Sequence, residues 1–329
     1  MIWLRCRLGL QIGTGHAERC LTLARAMQKE GMEAGLILDE DAAAFRARAA
    51  RAGIATHTLQ PGRPLSSEAA HYPDGPVVLD LSNPVMLAEL SGLVAALKSQ
   101  GRSVGLIEGL DNEAYSGPAE PDLVVTPYLG AGPRPERPAG HWIGGGDYAV
   151  LGGEYAAVPT PLERRTRILL MMSGSDPWGL TEDVLAAAKP FAGRLTVVIG
   201  GSIPEGRARA IAITAGEIGA RTEYAPPSLH PLFMEARAAL IGPGLVKYEA
   251  VATRTPPVIV SPGDQFVATQ SAFVTAGLAS VLSSTQPDFS EALSQALHRA
   301  LKTIPDWPAI IDGQGARRVA RELLRTFGE

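Results

Sequence analysis

Short runs of apolar residues alternate along the chain with longer stretches whose apolar side chains recur at helical spacing. The stretch 17–31 places apolar residues on one face of a helix and ends at Gly31. The run that follows, Gly35-Leu36-Ile37-Leu38-Asp39, has the pattern of a buried strand. Repeated alternation of this kind predicts βαβ units and mostly parallel sheets.

The same pattern continues over most of the chain. Strands are predicted at 1–5, 35–39, 77–80, 103–107, 123–125, 168–172, 195–200, 238–241 and 257–260. Helices are predicted at 17–31, 41–52, 85–100 and 315–327, the last of which is basic and amphipathic. The stretch 130–146 is dense in glycine and proline, so we expect irregular structure there.

The chain has 329 residues, enough for two domains, and a second α/β run begins at Arg167. We expect an N-terminal Rossmann-like domain over 1–155, a C-terminal one over 156–312 and a C-terminal helix over 313–329. Two such halves predict a cleft between them, where small molecules usually bind.

Composition narrows the classes of partner. The formal charge is −4, from 30 Lys+Arg against 34 Asp+Glu, which argues against nucleic acid as a partner. Two cysteines, Cys6 and Cys20, suffice for neither a disulfide framework nor a zinc cluster, and no ligand spacing indicates a metal. No apolar run is long enough for a membrane span, and the start lacks the features of a signal peptide. We therefore expect a cytoplasmic protein without metal or cofactor.

The most informative turn is Gly13-Thr14-Gly15-His16, between the first strand and the first helix. Two glycines allow a ligand to approach the backbone closely, and the N–H groups of a helix start favour an anion. A histidine at the carboxyl end of a parallel strand can act as a general base near neutral pH. The alternative is a histidine that only caps the helix.

Two turns in the second half are candidates for phosphate binding. Ser173-Gly174-Ser175-Asp176 follows an apolar strand and offers backbone and hydroxyl donors. Asp176 as N-cap with Pro177 at the first helical position is the structural alternative. The second turn, Gly244-Leu245-Val246, precedes a helix that carries Glu249.

Four further polar residues lie in or after the turns that follow predicted strands. Glu249 could bind both hydroxyls of a ribose, or be an exposed helix residue without a role. Asp264 and Gln265 lie in a turn after a strand. Asp80 ends a strand and is either a ligand contact or the cap of the next turn.

Together these turns resemble the PseG/SpsG family, UDP-sugar hydrolases of the pseudaminic acid pathway and related polysaccharide-biosynthesis proteins. The most specific block is Gly13-Thr14-Gly15-His16 with Arg19-Cys20-Leu21-Thr22-Leu23-Ala24. The other matching stretches are Arg5, 147–151, 173–177, Glu249-Ala250, Asp264-Gln265 and 311–316.

The resemblance implies a GT-B fold, an α/β architecture with two Rossmann-like domains facing across a cleft. It implies phosphate binding near Ser173–Asp176 and Gly244–Val246, with the ribose of UDP held by Glu249. It further implies contacts with substrate from Arg5, Arg19, Asp80, Asp264 and Gln265. His16 would activate water for inverting attack on the anomeric carbon.

The chain also departs from the family pattern. Arg5-Cys6-Arg7 stands where the family has Arg-x-Asp, Asp80-Leu81-Ser82-Asn83 lacks a Tyr-Gly pair, and Ile107-Glu108-Gly109 replaces two aspartates. In the second half Ser173-Gly174 replaces Gly-Gly, and Gly242-Pro243-Gly244-Leu245 replaces a Ser/Thr-rich turn. These changes indicate an altered sugar or acceptor on a retained nucleotide scaffold, and Arg7 is a candidate partner for a carboxylate on that sugar.

The leading hypothesis is therefore a UDP-sugar hydrolase of nonulosonic acid or surface-polysaccharide synthesis. A glycosyltransferase is the first alternative, because a sugar hydroxyl can replace water against the same base and leaving group. A non-catalytic nucleotide-sugar-binding relative is the second. Other enzymes of a glycan pathway are candidate partners.

Overall fold

The computed structural model describes residues 1–8, 14–39, 42–60, 62–81, 84–108, 119–131 and 141–328. The chain divides into two compact units. Unit 1 comprises Met1–Gly153 and Gly313–Glu329, and unit 2 comprises Glu154–Asp312.

Unit 1 is built on a seven-stranded sheet in which every pair is parallel. Its strands are β1 (Ile2–Cys6), β2 (Ala34–Asp39), β3 (Ala55–Leu59), β4 (Val77–Asp80), β5 (Val104–Ile107), β6 (Leu123–Thr126) and β7 (His141–Gly144). They lie in the order β3-β2-β1-β4-β5-β6-β7. The flanking helices are α1 (Gly15–Lys29), α2 (Ala43–Arg51), α3 (Leu65–Glu68) and α4 (Pro84–Ser99).

Unit 2 contains a six-stranded parallel sheet in the order β10-β9-β8-β11-β12-β13. Its strands are β8 (Arg167–Met171), β9 (Leu195–Ile199), β10 (Arg221–Tyr224), β11 (Ala236–Ile241), β12 (Pro257–Ser261) and β13 (Ser280–Ser283). Its helices are α5 (Leu180–Ala187), α6 (Glu205–Glu217), α7 (His230–Glu235), α8 (Val246–Ala252), α9 (Asp264–Val267), α10 (Ser271–Thr275) and α11 (Phe289–Lys302). The C-terminal helix α12 (Gly315–Phe327) belongs to unit 1, where it packs against α1.

Both faces of the unit 1 sheet are covered by helices, which explains the continuous apolar runs in its central strands. Along β1, Leu4 and Cys6 enter one core cluster with α1 and α12, whereas Trp3 enters the cluster on the opposite face. This alternation follows from the two-residue period of a strand. In unit 2, Ile168 and Leu170 of β8 enter a core cluster with residues of α5.

The prediction of irregular structure at 130–146 is wrong for His141–Gly144. His141–Gly144 forms β7, which pairs in parallel with β6, and the Trp142 indole donates a hydrogen bond to Thr126 Oγ1 at 3.1 Å. A Cβ on Gly144 would lie 2.4 Å from the Trp142 ring, so this glycine makes room for the indole. Residues 132–140 lie outside the described residues.

Three other strands have no counterpart in the sequence-based prediction: β3, β10 and β13. All three are outermost strands of their sheets, as is β7. Their side chains are largely half-buried or exposed, so they lack the apolar run that marks a strand buried on both faces.

Candidate functional site

The order of strands defines one preferred position for a ligand in each unit. In unit 1 the chain proceeds from β1 outward through β2 and β3, then returns to β4 on the other side of β1. In unit 2 the chain likewise proceeds from β8 outward through β9 and β10, then returns to β11 on the other side of β8. Ligands of doubly wound sheets bind outside the carboxyl ends of the strands at such a switch point. The turns that follow these four strands are therefore the places where function is expected.

In unit 1 the switch point brings His16 and Asp80 together. Cys6 and Asp80 end β1 and β4 in register with each other, and His16 is the second residue of α1, the helix that follows β1. His16 Nδ1 lies 2.6 Å from Asp80 Oδ1. The imidazole is 22% exposed, whereas the carboxylate has no exposed surface.

This contact determines which ring nitrogen of His16 carries the proton. An ionised carboxylate only accepts hydrogen bonds, so the 2.6 Å contact is made by a hydrogen on Nδ1. Arg19 Nη2 also lies 3.1 Å from Nδ1, but its shorter contact, at 2.6 Å, is the hydrogen bond that it donates to Asp80 Oδ1. The described residues make no hydrogen bond to Nε2. A neutral imidazole held in this way can accept a proton at Nε2.

Arg19, one turn along α1 from His16, holds the same carboxylate by two hydrogen bonds. Its Nε donates to Asp80 Oδ2 at 2.7 Å and its Nη2 donates to Oδ1 at 2.6 Å, and the guanidinium is 4% exposed. Arg19 Nη1 also donates to the hydroxyl of Tyr128, which follows β6. Tyr128 is a member of this cluster that the sequence analysis missed, because no motif marks it.

The electrostatics of the cluster favour the charged forms of Asp80 and Arg19. Burial alone would raise the pKa of Asp80, but the Arg19 guanidinium and His16 more than offset it and hold that pKa well below its usual range. The pKa of Arg19 is raised because the attraction of Asp80 outweighs the effect of burial. The neighbouring Cys20 thiol lies 3.5 Å from Asp80 Oδ2, and burial raises its pKa, so it remains a thiol.

Substrate contacts from Arg19 and Asp80 stay a prediction, and the structure adds a second role for both residues. Both side chains are buried and directed at each other and at His16, so they position the imidazole. Gly15 is exposed as the first residue of α1, and Thr14 is half-buried before it. Gly13 lies outside the described residues.

Arg5 forms a second buried charge cluster in unit 1. Its side chain has no exposed surface, and it donates to Glu68 Oε2 at 3.0 Å and to Asp39 Oδ1 at 2.7 Å. Arg7, which replaces the family's aspartate, also pairs with Glu68 at 2.6 Å. Burial alone would raise the pKa of Glu68, but these two arginines lower it. The cluster balances its own charges, and the predicted substrate contact of Arg5 stays a prediction.

The candidate phosphate turn of unit 2 follows β8 at its switch point. The Ser173 hydroxyl accepts a hydrogen bond from the Asp176 N–H at 2.7 Å, and the Gly174 carbonyl accepts one from the Ser202 N–H at 3.0 Å. Ser175 is half-buried. A Cβ on Gly200 would lie 2.2 Å from the Gly174 oxygen, so only glycine permits this approach of the two turns.

Asp176 serves the helix start, although not in the expected N-cap geometry. Helix α5 begins at Leu180 after Gly179, so Pro177 precedes it by three residues. The Asp176 carboxylate accepts hydrogen bonds from the N–H groups of Leu180 and Thr181, each at 3.0 Å, and from Arg207. Because the side chain is buried and directed at these donors, it is a structural residue of the turn.

The second turn at this switch point follows β11. A Cβ on Gly242 would lie 1.8 Å from the Met172 oxygen, so the ends of β8 and β11 approach each other more closely than a larger residue allows. Gly244 is exposed, Leu245 is half-buried and Val246 begins α8. The start of α8 and the turn after β8 therefore follow two strand ends that lie against each other.

Glu249 lies on α8, half-buried, and has a buried neighbour in Tyr155. Burial raises the pKa of Tyr155, and the nearby Glu249 carboxylate raises it further. The Tyr155 ring also meets the His230 ring edge to face at 5.3 Å. A protonated phenol beside Glu249 limits the positions that its carboxylate can adopt.

Three other polar residues lie on the helices that follow β11 and β12. Asp264 and Gln265 are exposed in the first turn of α9. Lys247 is buried, bonded to Gln270, and its ammonium lies 5.0 Å from the centre of the Phe273 ring. Sequence analysis missed Lys247, since a lysine beside Gly244-Leu245-Val246 gives no sign that it is buried.

The described part of the chain contains neither a metal-binding cluster nor a membrane-spanning helix. Among those residues no group of three or more His, Cys, Asp or Glu side chains is arranged to hold a metal ion. None of the described helices has both the length and the apolar character needed to cross a membrane.

Comparison with solved structures identifies the fold. MurG of Acinetobacter baumannii is 14% identical with a TM-score of 0.61, and the match covers 99% of each chain. MnaA of S. aureus, solved with UDP, is 14% identical with a TM-score of 0.61 over 98% of this chain and 95% of that one. The spinosyn rhamnosyltransferase SpnG, solved with its aglycone, is 14% identical with a TM-score of 0.60 over 99% and 97%.

This protein has the GT-B fold. The predicted fold class, with two Rossmann-like α/β domains, is confirmed. No family model matches the chain, and no curated protein matches it in sequence. Membership of the PseG/SpsG family therefore stays a prediction.

Proposed function

We propose that this protein is an enzyme that breaks the anomeric C–O bond of a UDP-activated sugar and transfers the glycosyl group to water. The observation that carries the proposal is the 2.6 Å contact between His16 and Asp80 at the switch point of the unit 1 sheet. It supplies an oriented imidazole at the position where doubly wound sheets bind their ligands. The resemblance to PseG/SpsG supports a role in nonulosonic acid or surface-polysaccharide synthesis.

Unit 2 supplies the groups that we propose for UDP. Backbone N–H groups after β8 and at the start of α8 favour the diphosphate, and the Ser173 and Ser175 hydroxyls add donors. Glu249 is the proposed partner of the ribose hydroxyls, which a carboxylate binds well as an acceptor. That MnaA, a protein of the same fold, was solved with UDP supports this choice of nucleotide.

The proposed reaction begins with proton transfer to His16. Nε2 takes a proton from water as the water oxygen bonds to C1 of the sugar, and the C1–O bond to the β-phosphate breaks. The bond's electron pair leaves with UDP, whose growing charge the backbone N–H groups stabilise. Asp80 stabilises the imidazolium and keeps its orientation, as in other His–carboxylate pairs. The products are UDP and a free sugar with inverted configuration at C1.

A glycosyltransferase is the second candidate, because SpnG, a rhamnosyltransferase, shares the fold. The reaction then differs only in the nucleophile, a sugar hydroxyl in place of water. Incubation with UDP-sugars, with and without candidate acceptors, separates the two. Release of UDP and reducing sugar without an acceptor indicates a hydrolase, whereas acceptor-dependent release of UDP indicates a transferase.

Replacement of His16 by alanine tests whether the site is catalytic. We expect turnover to fall about 10²–10⁴-fold, the usual contribution of a general base, with the Kd for UDP nearly unchanged. His57→Ala is a matched control, because His57 belongs to the same unit and its Nε2 donates a hydrogen bond to the carbonyl of His71 at 2.8 Å, away from the His16 cluster. Equal activity in wild type and His16→Ala would remove His16 from the mechanism. UDP binding without turnover of any UDP-sugar or acceptor pair would indicate a non-catalytic binding protein.

A further inference from the structure

An exposed tryptophan and a half-buried phenylalanine form an aromatic pair at the carboxyl edge of the unit 2 sheet. Trp178 follows β8 and Phe266 lies on α9, after β12, with ring centres 5.5 Å apart and planes inclined at 57°. The Trp178 side chain is 51% exposed. Water therefore contacts a large part of an indole that is otherwise held against a phenyl ring.

The turn that presents Trp178 is held by several hydrogen bonds. The Gly179 N–H donates to the Asp176 carbonyl at 3.1 Å, and Arg207 Nη1 donates to the same carbonyl at 3.0 Å. Asp176 and Gly179 both have positive φ, 43° and 71°, so the chain reverses sharply around Trp178. The indole is thus presented by an ordered turn. Because the turn is already ordered, less conformational entropy is lost when a ligand binds to the indole.

The groups beside the aromatic pair are polar and suited to hydroxyls. Asp264 and Gln265 are exposed and directly precede Phe266, while Ser173 and Ser175 begin the turn that carries Trp178. A pyranose ring has an apolar face of C–H groups and a rim of hydroxyls. An indole face attracts the positively polarised C–H groups, and carboxylate and amide groups bind the hydroxyls.

We propose that Trp178 and Phe266 form a stacking platform for the sugar ring of the nucleotide-sugar. This inference rests on the proposed function, since it takes the turn after β8 as the site of the diphosphate. The sugar is attached directly to that diphosphate, so Trp178, in the same turn, and Phe266, whose ring contacts it, are placed near the sugar. The platform selects for a ring with an unobstructed C–H face.

Calorimetric titrations of wild type, Trp178→Ala and Trp178→Phe with UDP, UDP-glucose, UDP-galactose and UDP-N-acetylglucosamine test the platform. We expect Trp178→Ala to leave the Kd for UDP unchanged and to weaken the tightest UDP-sugar about tenfold, the effect of one lost stacking contact. Trp178→Phe should retain most of that affinity, because it keeps an aromatic face. Tyr224→Ala is the matched control: Tyr224 is 61% exposed and lies on β10, the outermost strand.

Quenching of tryptophan fluorescence by acrylamide gives a second measurement. Trp3 and Trp307 are each 9% exposed and Trp142 is half-buried, so the contribution of Trp178 to the emission is taken as the difference in quenching between wild type and Trp178→Phe. We expect the bound UDP-sugar to protect this emission from acrylamide, and UDP alone to leave it accessible.

Each outcome of these titrations decides a separate point. Equal UDP-sugar affinity in wild type and Trp178→Ala, with UDP still bound, overturns the platform and leaves the proposed function standing. Failure of wild type to bind UDP or any UDP-sugar overturns the proposed function and the platform with it. Loss of self-association in Trp178→Ala, with UDP-sugar affinity unchanged, overturns the platform and makes the aromatic pair an interface between copies of the chain.

Discussion

Replacing Asp80 by asparagine isolates the contribution of the charge at the centre of the His16 cluster. Asparagine keeps the shape of the side chain but removes the negative charge that holds Arg19 and His16. Arg19 is 4% exposed and donates two charge-assisted hydrogen bonds to this carboxylate, at 2.7 and 2.6 Å. The substitution therefore leaves a guanidinium buried without its counter-charge.

The expected loss of stability is large for a single isosteric change. Removing one partner of a buried ion pair costs about 3–5 kcal/mol of unfolding free energy, because the other charge remains desolvated. For a unit of this size, each kcal/mol lowers the melting temperature by about 2–4 °C. Turnover should also fall about 10²–10⁴-fold, because the amide cannot stabilise an imidazolium.

Hydrogen exchange in increasing urea, followed on peptides from β1 and β4, reports the stability of unit 1 separately from unit 2. Asp122→Asn is the matched control in the same unit. Asp122 pairs with Lys98 at 2.7 Å, but both side chains are about one-third exposed, 35% and 32%. We expect this control to lose less than about 1 kcal/mol.

Two results would refute this reasoning. The first is an Asp80→Asn variant as stable as Asp122→Asn, which would mean that the charge of Asp80 does not stabilise Arg19. The second comes from Arg19→Gln combined with Asp80→Asn. We expect this double variant to be more stable than the sum of the single losses predicts, because no charge is left buried. Simple addition of the two losses would show that the residues act independently.

Three further predictions follow from other contacts. Glu249→Ala should weaken UDP binding about 10–100-fold by calorimetry and affect turnover of bound substrate less, while Glu291→Ala on α11 should leave the Kd unchanged. Tyr128→Phe removes the hydroxyl that accepts from Arg19, and should lower the free energy of unfolding by about 1–3 kcal/mol in urea titrations. Hydrogen bonds from Thr181, Arg207 and Leu180 outweigh the effect of burial and hold the pKa of Asp176 below its ordinary 3.8, so its charge stabilises unit 2 above that pH. As pH falls below 3.8, wild type should therefore lose stability more steeply than Asp176→Asn, and parallel acid-unfolding curves would contradict this.

The His16 site shows which parts of a functional site the local sequence can predict. Gly15-His16 after an apolar run was sufficient to mark the turn as a candidate, since both the run and the turn are continuous in the chain. The same reasoning assigned Asp80 and Arg19 to substrate, because it could not show that they face each other. Their side chains are 61 residues apart in sequence, and only the pairing of β1 with β4 brings them together.

Arg5 illustrates the same limit for buried charge. A lone arginine in an apolar strand gives no indication of its partners, and a ligand was a reasonable expectation. Its partners Asp39 and Glu68 come from β2 and α3, so the ion pairs exist only after the sheet is formed.

The sequence by itself determined the central strands and the α/β class, because a strand buried on both faces must be apolar along its whole length. It also determined the positions of α1, α2, α4 and α12, whose apolar side chains recur at helical spacing. It also marked the turns at the ends of these strands. The tertiary structure alone decided the edge strands β3, β7, β10 and β13, whose half-exposed side chains carry no such pattern. It alone decided the partners of His16, Arg19 and Arg5 as well, because ion pairs depend on distances in space that residues far apart in the chain acquire only on folding.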